Sequence, residues 1–350
     1  MNILIDVNHP AHVHYFKNFI WLMEKKKHTI LVTARDREMV IDLLKVYNIK
    51  YINRGTGANG VMGKMIYLFK ANGLLLKTSL KFKPDVFLSF GTPYAAQIAW
   101  LLNKPHLAIT DNDYAGKLTY LSMVPFSKYI ITSKASLKKF GSKHIKVNSY
   151  VKLLYLHPKY YQQSNLDYKK YLNIEYGQKY IIVRFVAFNA YHDFGLHTLN
   201  VAQKKKLINS LTQYGKVFIS SESQLPEELL KYKLEIPPEM IHDVLANAIL
   251  FIGQSGTMSA EAALLGTPSI FIASENEKID GVLKDFEENA LMSIVRYSLY
   301  QMEEIEEAVS QKNKIGKEDF FRLISSPFIT SKIDLTEYLI NFVESTIANV

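Results

Sequence analysis

The chain has 350 residues, 48% of them hydrophobic, a formal net charge of +9 and no cysteine. Such a length and apolar share suit a globular protein of two domains, and the lack of cysteine excludes disulfides and thiolate metal sites. The positive balance favours an anionic partner, a nucleotide or an anionic lipid surface, but no zinc-finger or RNA-binding aromatic signature accompanies it, so nucleic acid is not expected. The first ten residues, MNILIDVNHP, lack the basic-then-apolar layout of a signal peptide, and no apolar run approaches about 18 residues. The expectation is a cytoplasmic chain without a membrane span.

In chain order, the first half alternates strand and helix. Residues 2–7 read as a strand, 13–26 as an amphipathic helix, 28–34 as a strand, 37–47 as a helix and 50–53 as a short strand. A glycine-rich loop, RGTGANGVMGK over 54–64, precedes a long helix at 65–81; it lacks the Lys-Ser/Thr ending of a Walker loop and reads as a lid or acceptor loop. Strands follow at 85–90, 105–110 and 129–132, with a helix at 94–102. Strands separated by helical patterns imply a parallel, doubly wound sheet, whose ligands bind beyond the strand C-termini.

Two of those strand ends carry chemistry. The first, DVNHPAHVH at 6–14, holds three histidines, of which His12 and His14 lie where a helix begins. A cation there opposes the helix dipole, which favours the neutral imidazole a general base needs; the competing reading is a turn held by imidazole–backbone hydrogen bonds. The second, TDNDYAGK at 110–117, offers Asp111 and Asp113 as a base, as an orienting group or as acceptors from sugar hydroxyls, or else as an Asx turn.

Residues 149–167 are aromatic, basic and irregular, and read as a linker between domains. A second alternating pattern then begins, with a strand at 179–184, a helix at 201–214, a strand at 216–220 and short helices at 227–232 and 238–247. The segment ILFIGQSGTMSAEAALLGTPSIF at 249–271 is the most informative in the chain: strand, small-residue turn, helix, and Gly266 as a left-handed stop before the next strand. Its helix N-terminus suits a phosphate, with Ser255 and Thr257 as hydroxyl donors, Gly256 permitting close approach and Glu261, one turn on, placed for a ribose diol. The alternative is a plain cap with Glu261 in solvent. Arg184, at the end of the first strand of this half, is placed for a diphosphate. Asn189 and His192 follow in the next loop, Ser221 and Glu222 end the second strand, and the backbone near Met240 is placed to read a nucleobase edge. A late strand at 290–295, an acidic helix at 302–310 and an amphipathic helix at 335–347 complete the chain.

The runs DVNHPAHVH at 6–14, TDNDY at 110–114, RFVAFNAYHD at 184–193, SESQLP at 221–226 and GQSGTMSAEAALLGTP at 253–268 resemble a bacterial and archaeal family of unknown function similar to glycosyltransferases. More distantly, the chain is similar to MurG-type N-acetylglucosaminyltransferases and UDP-N-acetylglucosamine 2-epimerases. The resemblance implies a GT-B-like α/β fold, two doubly wound Rossmann-like domains facing a central cleft. The domains are expected at 1–150 and 168–330, with a linker at 151–167 and a C-terminal helix at 331–350 packing back on the first. It implies that Ser255, Gly256 and Thr257 hold a diphosphate and Glu261 the ribose. His12 or His14 resembles the MurG-type histidine after the first strand, although His9-Pro10-Ala11 stands where that family has Gly-Gly. Gly91-Thr92 stands where the epimerases carry a catalytic aspartate, which favours transfer over epimerisation.

The reading is a metal-independent glycosyltransferase using a nucleotide-diphosphate sugar, a UDP-sugar by preference, as co-substrate, with no other cofactor. Its catalytic candidates are His12, His14 and Asp111, and its acceptor is a glycan or lipid-linked sugar of surface polysaccharide. Two rivals stay open: a UDP-sugar 2-epimerase or hydrolase, and a non-catalytic nucleotide-sugar-binding subunit. Lys64, Lys70, Lys77, Lys81 and Lys83 around an apolar helix suggest peripheral docking at an anionic membrane face, or an ordinary solvated lysine surface.

Overall fold

The computed structural model describes residues 1–37, 39–58, 60–114, 116–161, 167–186, 199–297 and 302–348. In chain order the elements are β1 (Asn2–Val7), α1 (Pro10–Lys25), β2 (Thr29–Asp36), α2 (Val40–Val46), β3 (Tyr51–Thr56), α3 (Gly60–Phe82), β4 (Val86–Phe90), α4 (Pro93–Leu101), β5 (His106–Ile109), α5 (Lys117–Met123), β6 (Tyr129–Ser133), β7 (His144–Val147), α6 (Leu153–Leu156) and α7 (Tyr168–Leu172). There follow β8 (Tyr180–Phe185), α8 (Val201–Leu211), β9 (Lys216–Ser221), α9 (Ile241–Asn247), β10 (Leu250–Gly253), α10 (Gly256–Leu264), β11 (Ser269–Ser274), α11 (Gly281–Glu288), β12 (Met292–Tyr297), α12 (Glu303–Lys314), α13 (Lys317–Phe320), α14 (Ser326–Thr330) and α15 (Leu335–Ala348). These form two compact units, Met1–Tyr161 with Lys332–Val350, and Gln162–Ser331.

The first unit is a seven-stranded parallel sheet in the order β3-β2-β1-β4-β5-β6-β7. Its central strands are apolar runs because helices cover both faces: Ile3, Leu4, Ile5 and Val7 of β1 and Val86, Phe87 and Leu88 of β4 are all buried. Helix α1 starts earlier than its apolar period suggests. Pro10 presets the first helical turn, and the ring Nδ1 of His9, the N-cap, accepts from Ala11 N at 3.2 Å. Two further boundaries differ from the sequence reading. Arg54–Thr56 completes β3 and α3 begins at Gly60, so most of the expected glycine-rich loop is strand and helix. Residues 150–156 are likewise buried in the first unit, including Tyr150, Val151 and all of α6, rather than forming an exposed connection.

Helix α15 completes the first unit. Leu335, Leu339, Ile340 and Val343 bury its apolar stripe, Thr336 Oγ1 donates to Leu154 O at 3.2 Å, and Glu344 pairs with Lys26 at 2.7 Å. Its first turn is anchored by Lys159, which reaches Asp334 at 3.1 Å and Glu337 at 2.7 Å.

His106, at the start of β5, is fully buried between Ser89 Oγ and Ser127 Oγ, each at 2.9 Å. Burial lowers its pKa from 6.5 to about 3. The unfolded chain therefore takes up a proton near pH 6.5 that the folded protein refuses until about pH 3. Stability should be flat above that window and fall as the pH drops through it, by about 1.4 kcal/mol per pH unit from this group. Urea unfolding at pH 7.5 and pH 5 should show the loss, and His106→Phe should show a smaller one; equal acid sensitivity in both proteins would contradict the assignment.

The second unit is a five-stranded parallel sheet, β12-β11-β10-β8-β9. One face packs α8 and α12 through Leu207, Leu211, Ile305 and Val309, and the other packs α9 through Val244 and Leu245, with Met240 just before it.

Candidate functional site

In the second unit, chemistry gathers where β8, β9 and β10 end. Gly253 lies opposite Arg184 in the parallel ladder, and a Cβ there would sit 2.6 Å from Arg184 O. The glycine lets β10 approach β8 closely, and Gln254 N then donates to Arg184 O at 3.0 Å. Ser255 is the N-cap of α10, its hydroxyl accepting from Met258 N at 3.3 Å. The helix ends in a Schellman motif: Thr267 N bonds Ala262 O, Gly266 N bonds Ala263 O, and Gly266 has φ +82°. The strand, turn and helix expected at 249–271 are therefore present, with both caps.

The side chains around this helix differ in part from the expectation. Thr257 is exposed at the first turn, but the space beside Gly256 is filled by Leu283 of α11, whose Cδ1 would lie 2.6 Å from an added Cβ. The missing side chain there makes room for packing; the turn's N–H groups remain its contribution. Glu261 is buried rather than solvated, 3.7 Å from His242 Nε2 on α9. It is carried inward because its neighbours Ala260, Ala262 and Ala263 are small enough for α9 and α10 to pack closely.

Arg184 turns toward β9. Its Nη1 donates to Ser220 Oγ at 2.7 Å and its Nη2 to Glu222 Oε1 at 2.6 Å, while its buried Nε has no hydrogen-bond partner among the described residues. Ser221 is occupied in its own turn, donating to Ser223 O at 2.8 Å and accepting from Ser223 N at 3.3 Å. The side chain of Met240 is fully buried in the core against β8 and β10, so only its backbone is available to a ligand. Asn189 and His192 lie outside the described residues.

In the first unit the ends of four adjacent strands are laced together around Asp6. Arg54 on β3 pairs with Asp6 on β1 at 2.9 Å, both side chains wholly buried. Thr33 Oγ1 donates to the same carboxylate at 2.7 Å and Thr92 Oγ1 at 3.2 Å. Arg54 also bonds Asn8 Oδ1 and Tyr67 Oη, and stacks 4.7 Å from the Tyr94 ring centroid. Burial, the largest influence, pushes the Asp6 carboxyl above its ordinary range in spite of Arg54 and the two threonines.

His12 is buried against Phe90 and Tyr15, with ring centroids 4.9 and 6.0 Å away. Burial, reinforced by His9 and Arg37, holds its pKa well below 6.5, so the imidazole is neutral at physiological pH. Its Nδ1 accepts from Asn8 N at 3.3 Å, which leaves the single proton of the neutral ring on Nε2. In this arrangement His12 presents a hydrogen-bond donor; service as a base first requires release of the Asn8 contact. His14 is packed in the helix layer, its Nδ1 3.3 Å from Tyr47 Oη and its ring stacked on Tyr155. Asp111, beyond β5, pairs with the buried Lys152 at 3.2 Å. Asp113 is buried in the loop, accepting from Ser136 Oγ at 2.5 Å and Lys138 N at 3.0 Å.

Residues 1–329 match the profile of a protein family described as "Protein of unknown function (DUF354)". The chain belongs to this family. An uncharacterised protein of Methanocaldococcus jannaschii, MJ0665, is 28% identical over 291 residues, covering 77% of this chain and 81% of that one. Among solved structures, the UDP-GlcNAc 2-epimerase of Neisseria meningitidis bound to UDP-GlcNAc superposes with a TM-score of 0.69 at 13% identity, over 100% of both chains. The spinosyn forosaminyltransferase SpnP superposes with a TM-score of 0.65 at 10% identity, over 99% of both. At such identities the likeness shows the fold, and the fold is GT-B.

Proposed function

We propose that this family member is a glycosyltransferase that moves a sugar from a nucleotide-diphosphate sugar, a UDP-sugar by preference, to a glycan or lipid-linked acceptor of surface polysaccharide, at the inner face of the membrane and without a metal ion. The observation that carries the reading is the pairing, at one edge of the second sheet, of the Ser255-capped N-terminus of α10 with the Arg184 guanidinium on the neighbouring strand. Both suit anions: the first through its N–H groups and the helix dipole, the second through a planar fork. A diphosphate bound there takes Arg184 over from Glu222, its more exposed partner, and its leaving charge is met by the helix end, Thr257 and the guanidinium. Glu261, with His242 behind it, receives the ribose hydroxyls. In the first unit the acceptor hydroxyl meets the Nε2–H of His12, and the Asp111 carboxylate takes its proton. The first unit has Gly91-Thr92 after β4, with Thr92 bonded to Asp6, so the catalytic aspartate that the epimerases carry there has no counterpart at that strand end.

Thermal unfolding against UDP, GDP, CMP, dTDP and their sugar conjugates tests the donor site. One diphosphate should stabilise the protein by about 2.7 kcal/mol at a hundredfold excess over its Kd, and Glu261→Ala and Arg184→Ala should each lose most of that gain. No shift with any nucleotide would remove the donor site. Product formed from the sugar nucleotide alone would favour the epimerase or hydrolase, and binding without turnover would favour the binding subunit.

A further inference from the structure

Helix α3 has an exposed face that is apolar where a solvated helix should be polar. Tyr67, Ala71, Leu75 and Ser79, four apart, form its buried stripe. On the outward side Met62, Met65, Ile66 and Phe69 are 70, 50, 62 and 72% exposed, at the i, i+3, i+4, i+7 spacing of a second apolar stripe. Farther along the same side Lys70, Lys77 and Lys81 are exposed beside Leu80, itself 60% exposed. From Arg54 to Pro84 the chain has no acidic residue. Helix α5 repeats the pattern in miniature, with Leu118 and Leu121 80 and 69% exposed beside the exposed Lys117. Both helices begin at the C-terminal edge of the first sheet, where His12 and Asp111 also lie, because each follows a strand of that parallel sheet.

We propose that the first turns of α3 and α5 dock into an anionic bilayer, with Met62, Met65, Ile66, Phe69, Leu118 and Leu121 entering the acyl boundary and the lysines meeting the headgroups. Apolar side chains beside cations, with no acid among them, are the composition of an interfacial helix. A second copy of this chain does not fit the face, since symmetric pairing would set two acid-free lysine surfaces against each other. The proposal rests on the glycosyltransferase reading for one point, the lipid-linked class of the acceptor: a bilayer at this edge delivers the acceptor hydroxyl to His12 and Asp111 while its tail stays in the membrane.

Sedimentation with phosphatidylcholine vesicles, with and without phosphatidylglycerol, tests it. The protein should bind the mixed vesicles, release with rising salt and ignore phosphatidylcholine alone. Ile66→Glu/Phe69→Glu should weaken that binding at least tenfold, and Lys70→Glu/Lys77→Glu should weaken it and flatten its salt dependence. All these positions are exposed, so thermal unfolding and any nucleotide-induced shift should be unchanged in both variants. No vesicle binding by the unaltered protein, or equal binding by the Glu variant, would overturn docking and leave the donor-site reading intact. A dimer dissociated by Ile66→Glu/Phe69→Glu would overturn it in favour of self-association.

Discussion

Arg54→Met should lower the unfolding free energy by roughly 3–5 kcal/mol, the range for removing one member of a buried ion pair. The cost comes from what is left behind. Asp6 and Arg54 are both wholly buried, and burial already pushes the Asp6 carboxyl upward with the guanidinium in place. Without it, the carboxyl is driven to bind a proton. The folded variant then holds a proton that the unfolded chain releases near its ordinary 3.8, so the variant's stability falls as the pH rises from that value toward the raised one. The deficit relative to the unaltered protein should therefore be larger at pH 8 than at pH 5. Adding Asp6→Asn should restore part of the loss, because the pair is then removed as a unit. Urea unfolding of both singles and the double measures the coupling; strictly additive losses would mean that the two residues do not stabilise each other.

In a transfer assay, His12→Ala should lower kcat/KM by about 10²-fold, the cost expected when the attacking hydroxyl loses the group that positions it. His12→Gln, which keeps an N–H donor but cannot act as a base, should stay within about tenfold of the unaltered enzyme. The prediction follows from the Asn8 N–H bond to Nδ1, which fixes the proton on Nε2, and from burial, which holds the ring neutral. The pH–rate profile should accordingly lack a limb near 6.5 from this residue. Equal losses in the two variants, with such a limb present, would return His12 to the role of base.

Local chemistry made parts of this legible in the sequence. The unit from β10 to β11 could be read residue by residue because an apolar strand, a capping serine, a small-residue helix and a left-handed glycine each leave a mark within a few positions. The partners could not be read. Asp6 meets Arg54 only because the parallel order seats β3 two strands from β1, with Thr33 of β2 between them. Taken alone, Arg54 looks like the first residue of a loop. Asp111 meets Lys152, and Glu261 meets His242, through contacts of the same long-range kind. One signal was available: a glutamate flanked by alanines on a short helix predicts close packing, and hence a buried partner. The glycine-rich stretch at 54–64 misled because glycine frequency suggests a loop, whereas tertiary packing of Tyr67, Ala71 and Leu75 extends α3 back to Gly60.

The return of α15 to the first unit has a consequence for synthesis. Residues 332–348 leave the ribosome after the whole of the second unit, yet they supply Leu335, Leu339 and Val343 to the first. The part of the chain made first is thus finished last. Until α15 arrives, the surface of α1 that it covers is open to chaperones. A released chain that ends at residue 331 should hold a protease-resistant second unit and a first unit that is still cleaved.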